Sequence, residues 1–428
     1  MNGKKIFHIA YLIIIFNYGT LRLLGLPTEI YKVIAPALLL ILFIEQFFIK
    51  HKLTLPMFWV FLSFVIIVFI SSIINHIPLF QALYFLLYTI TPFLYFYVIL
   101  NESNLNVLKV IQKTFTILIV IQLVAVFIKF FILGISESGA IGTLDTSEGS
   151  LSAIFPLLIS IVLFSYYLYN RKKSYLFLIF CYFLFAIIGA KRVITVALPV
   201  FLLITLMIYY KKNSKLFSVL FLKKLASYLG IGFILLYLGA KTQPTLNPEH
   251  SFWGSFNLTY LTDFMFSYSV TPRSKDDVSR FKGLELFGFK LYEESTSHFL
   301  IGEGAGKLIQ SDFSENKGGD LIEKYYGIFY GGRMGFVWIY MQVGLIGLLL
   351  FLYFYLRIAF YGLKVNLHPL SLALNVIPIL FLFDFFWYSS VFITYPVVNN
   401  LYFLIAAFLY KGNNDKSFLR FTNNLRLF

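Results

Sequence analysis

The sequence has little charge and almost no cysteine. Only 13% of its 428 residues are charged, whereas 59% belong to the hydrophobic set. Soluble proteins contain about 25% charged residues, so a water-soluble fold is excluded and we predict an integral membrane protein. The single cysteine, Cys181, excludes an intramolecular disulfide and a cysteine-based metal site.

Several catalytic motifs are also absent. The sequence contains no glycine-rich phosphate loop of the GxxxxGK[ST] kind, no HExxH motif and no CxxC pair, which argues against nucleotide hydrolysis and zinc chemistry. We therefore predict no cofactor and no metal. No internal repeat is found either, although a twelve-helix transporter would be expected to show two related halves.

Long apolar runs dominate the sequence. A bilayer core of about 30 Å needs about 20 apolar residues per helix, and windows of that length predict twelve spans. The runs are continuous and not alternating, which favours helices over an outer-membrane barrel. We predict an all-α polytopic fold with one membrane domain over residues 1–428. The predicted spans are 6–26, 30–49, 53–74, 79–100, 110–134, 151–169, 174–190, 193–210, 225–240, 334–356, 369–388 and 391–410.

The positions of lysine and arginine predict the orientation. With a cytoplasmic N-terminus, 20 of the 35 basic residues fall in cytoplasmic segments. The short loops on the other side hold almost none apart from Lys191 and Arg192, so we predict that both termini are cytoplasmic. The net charge of +15 then reflects contact with anionic membrane lipid, and it gives no indication of nucleic-acid binding.

One long polar segment interrupts the spans. Residues 241–333 join spans nine and ten and hold twelve acidic and ten basic residues. Connections beyond about 12–15 residues usually have a functional role, and the orientation places this loop outside the cytoplasm. Within it, apolar side chains at helical spacing over 281–291 predict an amphipathic helix on the bundle or membrane surface. A flexible glycine turn over 302–306 is predicted after it.

The order of these features resembles a known family. Arg280, the amphipathic helix, the glycine turn Ile301–Gly306 and the Gly-Leu-Ile-Gly run at 344–347 are similar to the O-antigen polymerase and O-antigen ligase superfamily of bacterial envelope glycosyltransferases. Gly-Ala-Lys-Arg at 189–192 is similar to a Ser-Arg signature that these proteins carry at an outer helix end. The resemblance covers residues 280–350 most closely, and elsewhere it extends to the number of spans and the single large loop.

The resemblance implies transfer of a glycan from undecaprenyl-diphosphate-linked oligosaccharide on the outer face of the bacterial cytoplasmic (inner) membrane. A chain-length regulator and a flippase are implied partners. Ligases of this family typically carry a histidine, a polar residue, nine further residues and a glycine at the start of the span after the loop. Polymerases carry an arginine, ten residues and a glycine, a pattern that Arg333 and Gly344 meet.

We therefore favour a polymerase of O-antigen, capsular or exopolysaccharide repeat units. Two alternatives stay open: a ligase that transfers the glycan to a lipid A-core or other acceptor, and a flippase of lipid-linked oligosaccharide. A membrane protein without catalytic activity is a further class.

Chemistry and resemblance together select the candidate site residues. A diphosphate leaving group needs neutralisation, and arginine supplies a rigid fork of donors that stays charged without a metal. The candidates for diphosphate binding are Arg192, Arg280, Arg333, Arg273 and Lys191. A general base would activate the acceptor hydroxyl, and the candidate bases are Glu303, Asp277 and His298. Asp384 is a separate candidate because acids within spans are often functional, although pairing with a structural arginine or a position near the outer surface would satisfy it equally well.

Overall fold

The computed structural model describes residues 28–49, 53–102, 105–134, 142–144, 150–189, 191–213, 218–270, 295–308, 334–364 and 368–414. Several predictions fall outside these residues. They concern span 6–26, the amphipathic helix over 281–291, and the candidates Asp277, Arg273, Arg280 and Arg333.

The apolar runs form helices. In chain order they are α1 Thr28–Ile49, α2 Phe58–Ile74, α3 Leu79–Asn101, α4 Leu105–Phe131, α5 Leu151–Asn170, α6 Lys173–Ile188, α7 Arg192–Lys212, α8 Val219–Thr242, α9 Leu258–Val270, α10 Thr296–Ile301, α11 Gly335–Lys364, α12 Pro369–Phe383, α13 Val391–Thr394 and α14 Pro396–Asn414. All regular elements among the described residues are helical. Seven of the described helices are long and apolar enough to cross a membrane. The chain is therefore a multi-pass helical membrane protein, and the count of twelve spans stays a prediction.

Polar residues define where several helices begin. The Ser218 hydroxyl accepts a hydrogen bond from the Phe221 N–H (3.1 Å) at the start of α8. His368 Nδ1 accepts from the Leu370 N–H (3.1 Å) at the start of α12. These side chains satisfy N–H groups that have no partner within their own helix.

Two groups of helices pack on either side of α12. The first group contains α1, α2, α3, α11 and α14, and the second contains α5, α6, α7 and α8. Aromatic rings fill the first group and its contact with α12, with Phe93 stacked on Phe354 at a centroid distance of 3.7 Å and Tyr355 stacked on Phe381 at 4.5 Å. Such ring pairs contribute about 0.5–1.5 kcal/mol each beyond the area they bury.

Basic side chains gather at one end of the bundle, which we call the basic end. The Arg171 guanidinium lies 5.9 Å from the Tyr209 ring centroid, and Lys212 Nζ donates to Ser371 Oγ at 2.6 Å. Lys411 Nζ donates to the backbone carbonyl of α3 just past its last residue. These contacts join the C-terminal end of α5 to that of α7, the end of α7 to the start of α12, and the C-terminal end of α14 to that of α3.

The first part of the predicted loop 241–333 is a compact turn on the end of α8. The side-chain amide of Asn247 donates to the carbonyls of Gln243 (3.1 Å) and Ser251 (2.9 Å), and Asn247 Oδ1 accepts from the Ser251 N–H. A small apolar cluster of Ala240, Leu246 and Leu261 then holds α9 against this turn.

Candidate functional site

The centre of the site is a break in α11 at Gly344. This residue has φ 62° and ψ −168° inside an otherwise helical segment, a conformation that is open essentially to glycine alone. A Cβ at Gly344 would lie 2.4 Å from the backbone nitrogen of Ile301, and a Cβ at Gly302 would lie 2.5 Å from the backbone nitrogen of Val343. The end of α10 therefore crosses α11 with backbone against backbone.

The break is satisfied by groups from other segments. The Glu303 N–H donates to the Met341 carbonyl at 2.8 Å, and Ser71 Oγ donates to the Gln342 carbonyl at 2.7 Å. On the other side of the crossing, Asn75 Nδ2 donates to the Gly302 carbonyl at 3.0 Å. A backbone polar group left without a partner in a bilayer costs several kcal/mol, so the first two contacts explain why α11 can be interrupted here, and the third satisfies the end of α10.

The glycine turn over 302–306 is packed between α2, α3 and α11. A Cβ at Gly306 would lie 2.4 Å from the Gln81 carbonyl oxygen, and the Gly306 N–H donates to Gln342 Oε1 at 2.9 Å. Ser72 Oγ donates to the Ala305 carbonyl at 3.3 Å. We predicted a flexible turn from its glycines. Instead, the glycines permit close backbone approach, and the turn is enclosed.

Glu303 is the predicted site residue that this turn positions most directly. It is 3% exposed, and its Oε2 atom lies 3.2 Å from Lys307 Nζ, whose side chain is 38% exposed. The Glu303 carboxylate is thus buried, whereas the Lys307 ammonium that pairs with it reaches the surface. An ion-paired acid in this position can accept a proton from a hydroxyl that approaches along Lys307.

His298 lies on α10, directly before the turn. The Ser295 hydroxyl accepts from the His298 N–H at 3.1 Å, and the Gly302 N–H donates to the His298 carbonyl at 2.8 Å. The buried Nδ1 atom of its ring has no hydrogen-bond partner among the residues described here. Two of the three candidate bases, Glu303 and His298, therefore share one short segment.

Arg192 and Lys191 lie at the start of α7, in the other helix group. The Arg192 guanidinium is 4.8 Å from the ring centroid of Phe264 in α9. Nearby, Gln243 Nε2 donates to Thr195 Oγ1 at 3.2 Å. Arg192 therefore packs on α9, while the turn that carries Glu303 packs with α2, α3 and α11.

The two groups of candidates nevertheless face the same end of the bundle. Lys212, at the far end of α7, touches Ser371 at the start of α12. Past the other end of α12, the Ser389 carbonyl accepts from the N–H of Gly335, the first residue of α11, at 3.0 Å. The start of α7 and the start of α11 therefore lie at the same end of the bundle, opposite the basic end. We call this the turn end.

Asp384 has a structural partner. It begins a π-helical turn over Asp384–Tyr388, is fully buried, and its Oδ2 atom accepts from the Phe392 N–H at 2.9 Å. This bond ties the end of α12 to α13, whose first N–H groups have no partner within so short a helix. The partner that the structure shows for this acid is therefore a backbone N–H, which gives Asp384 a structural role at this turn.

The sequence reasoning missed the polar residues that hold the site together. Ser71, Asn75 and Gln342 each lie within or beside an apolar window, where a polar side chain marks a buried partner. A second missed contact joins Gln122 in α4 to Thr143, with the Thr143 N–H donating to Gln122 Oε1 and Gln122 Nε2 donating to Thr143 Oγ1, both at 2.8 Å. Residues 142–144 therefore fold back along α4.

No family model and no curated protein matches the chain in sequence. The resemblance to the O-antigen polymerase and ligase superfamily therefore stays a prediction. Across the described residues, no group of three or more His, Cys, Asp or Glu side chains could hold a metal ion.

Proposed function

We propose that this membrane protein is an enzyme that polymerises polyprenyl-diphosphate-linked oligosaccharide repeat units on the outer face of the bacterial cytoplasmic membrane. The observation that carries the proposal is the buried Glu303 on a glycine turn inserted into the break of α11, at the end opposite the basic end. Basic residues prefer the cytoplasmic side, so this topology would expose the turn end to the exterior, where an assembled glycan is found.

In the proposed mechanism, a sugar hydroxyl of the acceptor attacks the anomeric carbon of the donor. Glu303 accepts the hydroxyl proton, the new glycosidic bond forms, and the polyprenyl diphosphate leaves with the bonding electrons. Lys307 Nζ lies 3.2 Å from Glu303 Oε2 and pairs with the carboxylate. His298 is the alternative base on the same segment.

The leaving diphosphate needs cations. Arg192 and Lys191 lie at the turn end, and the sequence adds Arg273, Arg280 and Arg333 as candidates. Arginine forks bind phosphate oxygens in two-point contacts, so this set can neutralise the leaving group. A single displacement inverts the anomeric centre, and much of the rate would come from holding both lipid carriers in position.

A flippase of lipid-linked oligosaccharide is the second candidate, and the broken helices favour it. Gly344 is nine residues from the start of α11, or about 14 Å at 1.5 Å per residue, which approaches the middle of a bilayer core. The chain is interrupted again between α12 and α14. Transporters bind substrates at such discontinuous helices.

Lipid-linked glycans from a strain that lacks the protein separate these functions. Loss of a polymerase leaves one repeat unit on its carrier, facing outward, whereas loss of a ligase leaves full polymer on the carrier. Loss of a flippase leaves the single unit on the cytoplasmic side, where an external glycan-modifying reagent does not reach it.

Purified variants test the proposed base. Glu303→Gln should remove polymer formation from a defined lipid-linked repeat unit, while Glu249→Gln should retain it. Glu249 is a matched control because it is an exposed acid on the same predicted loop. Equal polymer yield from both variants would contradict the assignment of Glu303.

A further inference from the structure

A small, partly open cavity lies between α1, α3 and the segment that joins α13 to α14. Its volume is about 30 Å³, and Pro36, Pro92 and Pro396 contribute to its wall. Proline lacks an N–H donor and bends or ends a helix. Pro36 and Pro92 lie inside α1 and α3, and Pro396 begins α14, so the cavity lies where these helices depart from regular geometry.

Asn400 is the polar group that this cavity leaves without a partner. Its side chain is fully buried, and both Oδ1 and Nδ2 lack a hydrogen-bond partner in the part of the chain that the structure describes. A buried amide in this state is costly unless something satisfies it. The Asn400 amide therefore requires a ligand that both donates and accepts a hydrogen bond.

The side chains of Thr91, Thr394 and Asn399, which also line the cavity, are already engaged. The Thr91 and Thr394 hydroxyls donate to carbonyls of their own helical segments. The Asn399 Oδ1 atom accepts from the Tyr355 hydroxyl at 3.0 Å. The hydrogen bonds available to a ligand are thus concentrated on Asn400.

The size of the cavity selects the ligand. A water molecule needs about 10–15 Å³ of cavity volume measured in this way, so about two fit, and a sugar ring or a diphosphate does not. No cation contributes to the described wall. We propose that the cavity binds a small neutral hydroxylic ligand, water or the hydroxyl of a membrane alcohol, which accepts from Asn400 Nδ2 and donates to Asn400 Oδ1.

The site is independent of the proposed enzyme activity. It lies beside the first half of α11, because Tyr88 in its wall packs edge-on against Trp338 at a centroid distance of 6.1 Å. A ligand there supports the helix that carries the Gly344 break without contacting Glu303.

X-ray-generated hydroxyl-radical labelling of the purified full-length protein tests for bound water. Radicals form from bound water inside the protein, so Pro36 and Pro92 should be oxidised several-fold faster than Pro156. Pro156 is the matched control because it is a buried helical proline of α5 that does not line the cavity. In Asn400→Leu, oxidation of Pro36 and Pro92 should fall to the level of Pro156.

Photolabelling with 3-azioctanol tests for a membrane alcohol. An alcohol is the ligand if 3-azioctanol labels the cavity wall saturably and this labelling is lost in Asn400→Leu. Water is the ligand if Pro36 and Pro92 are oxidised fast and added alcohol does not change that rate. Oxidation of all three prolines at one rate in the wild-type protein, with no saturable photolabelling, would overturn the proposal. That comparison needs only the wild-type protein, so it stands even if the variant does not fold.

Discussion

Substitution of Gly344 by alanine probes the crossing of α10 and α11 directly. The new Cβ would lie 2.4 Å from the backbone of Leu300 and Ile301, and backbone atoms cannot move aside as a flexible side chain can. The residue would also keep a positive φ of 62°. Strained backbone of this kind costs about 1–3 kcal/mol, and overpacking adds about 1–3 kcal/mol.

We therefore expect Gly344→Ala to lower the free energy of unfolding by about 2–6 kcal/mol. Gly230→Ala is the matched control, because Gly230 lies in α8 with no atom within 4 Å of an added Cβ. Replacing a helical glycine by alanine stabilises a helix by about 1 kcal/mol, so this variant should be neutral or more stable than the wild-type protein.

Unfolding of the purified variants in mixed detergent micelles, followed by circular dichroism, measures the difference. Gly302→Ala disturbs the same crossing from the other side, so the double variant with Gly344→Ala should be less destabilised than the sum of the single effects. The proposed crossing would be refuted by a Gly344→Ala protein as stable as Gly230→Ala, or by strict additivity of the two glycine substitutions.

Three further predictions concern orientation, diphosphate binding and pH. A cysteine at Ser311 should react with a membrane-impermeant maleimide in intact spheroplasts; reaction only after permeabilisation would reverse the proposed orientation. Arg280→Ala and Arg333→Ala should each abolish polymer formation at normal protein abundance. Lysine at either position should restore polymer formation only partly, because lysine lacks the planar fork of arginine. Normal polymer from both alanine variants would contradict the role of these arginines. Hydrogen bonds from Ser255 hold the pKa of Glu249 below its usual range. Glu249 therefore stabilises the fold at neutral pH, and this contribution is lost as the pH falls through the folded-state pKa. The difference in unfolding midpoint between Glu249→Gln and the wild-type protein should shrink on acidification, and a constant difference would disprove the assignment.

The sequence by itself determined the class of fold. A chain in lipid must satisfy its backbone within each spanning segment, so an apolar run of sufficient length folds as a helix whatever surrounds it. The windows 79–100 and 151–169 accordingly match Leu79–Asn101 and Leu151–Asn170 within a residue or two. Windows that end on less regular sequence match less well: the window 225–240 became Val219–Thr242 because Ser218 supplies a cap further upstream.

The sequence also named Glu303, which lies between two glycines, as one of three candidate bases. The surroundings of Glu303 and these glycines could not be predicted in the same way. Gly344 lies within a continuous apolar run, and nothing local distinguishes a glycine that continues a helix from one that interrupts it. The interruption is stable only because Ser71 from α2 and Glu303 from the turn supply donors to the exposed carbonyls.

Only the tertiary structure decided these partners. Gly302 and Gly344 are 42 positions apart, and Ser71 lies 271 positions from Gln342, so no sequence window contains both members of either contact. Hydropathy reports how much of a segment is buried, whereas the partner of a buried polar group depends on which helices become neighbours. The same reason applies to Asn400, whose unsatisfied amide is recognisable only once α1, α3 and α14 enclose it.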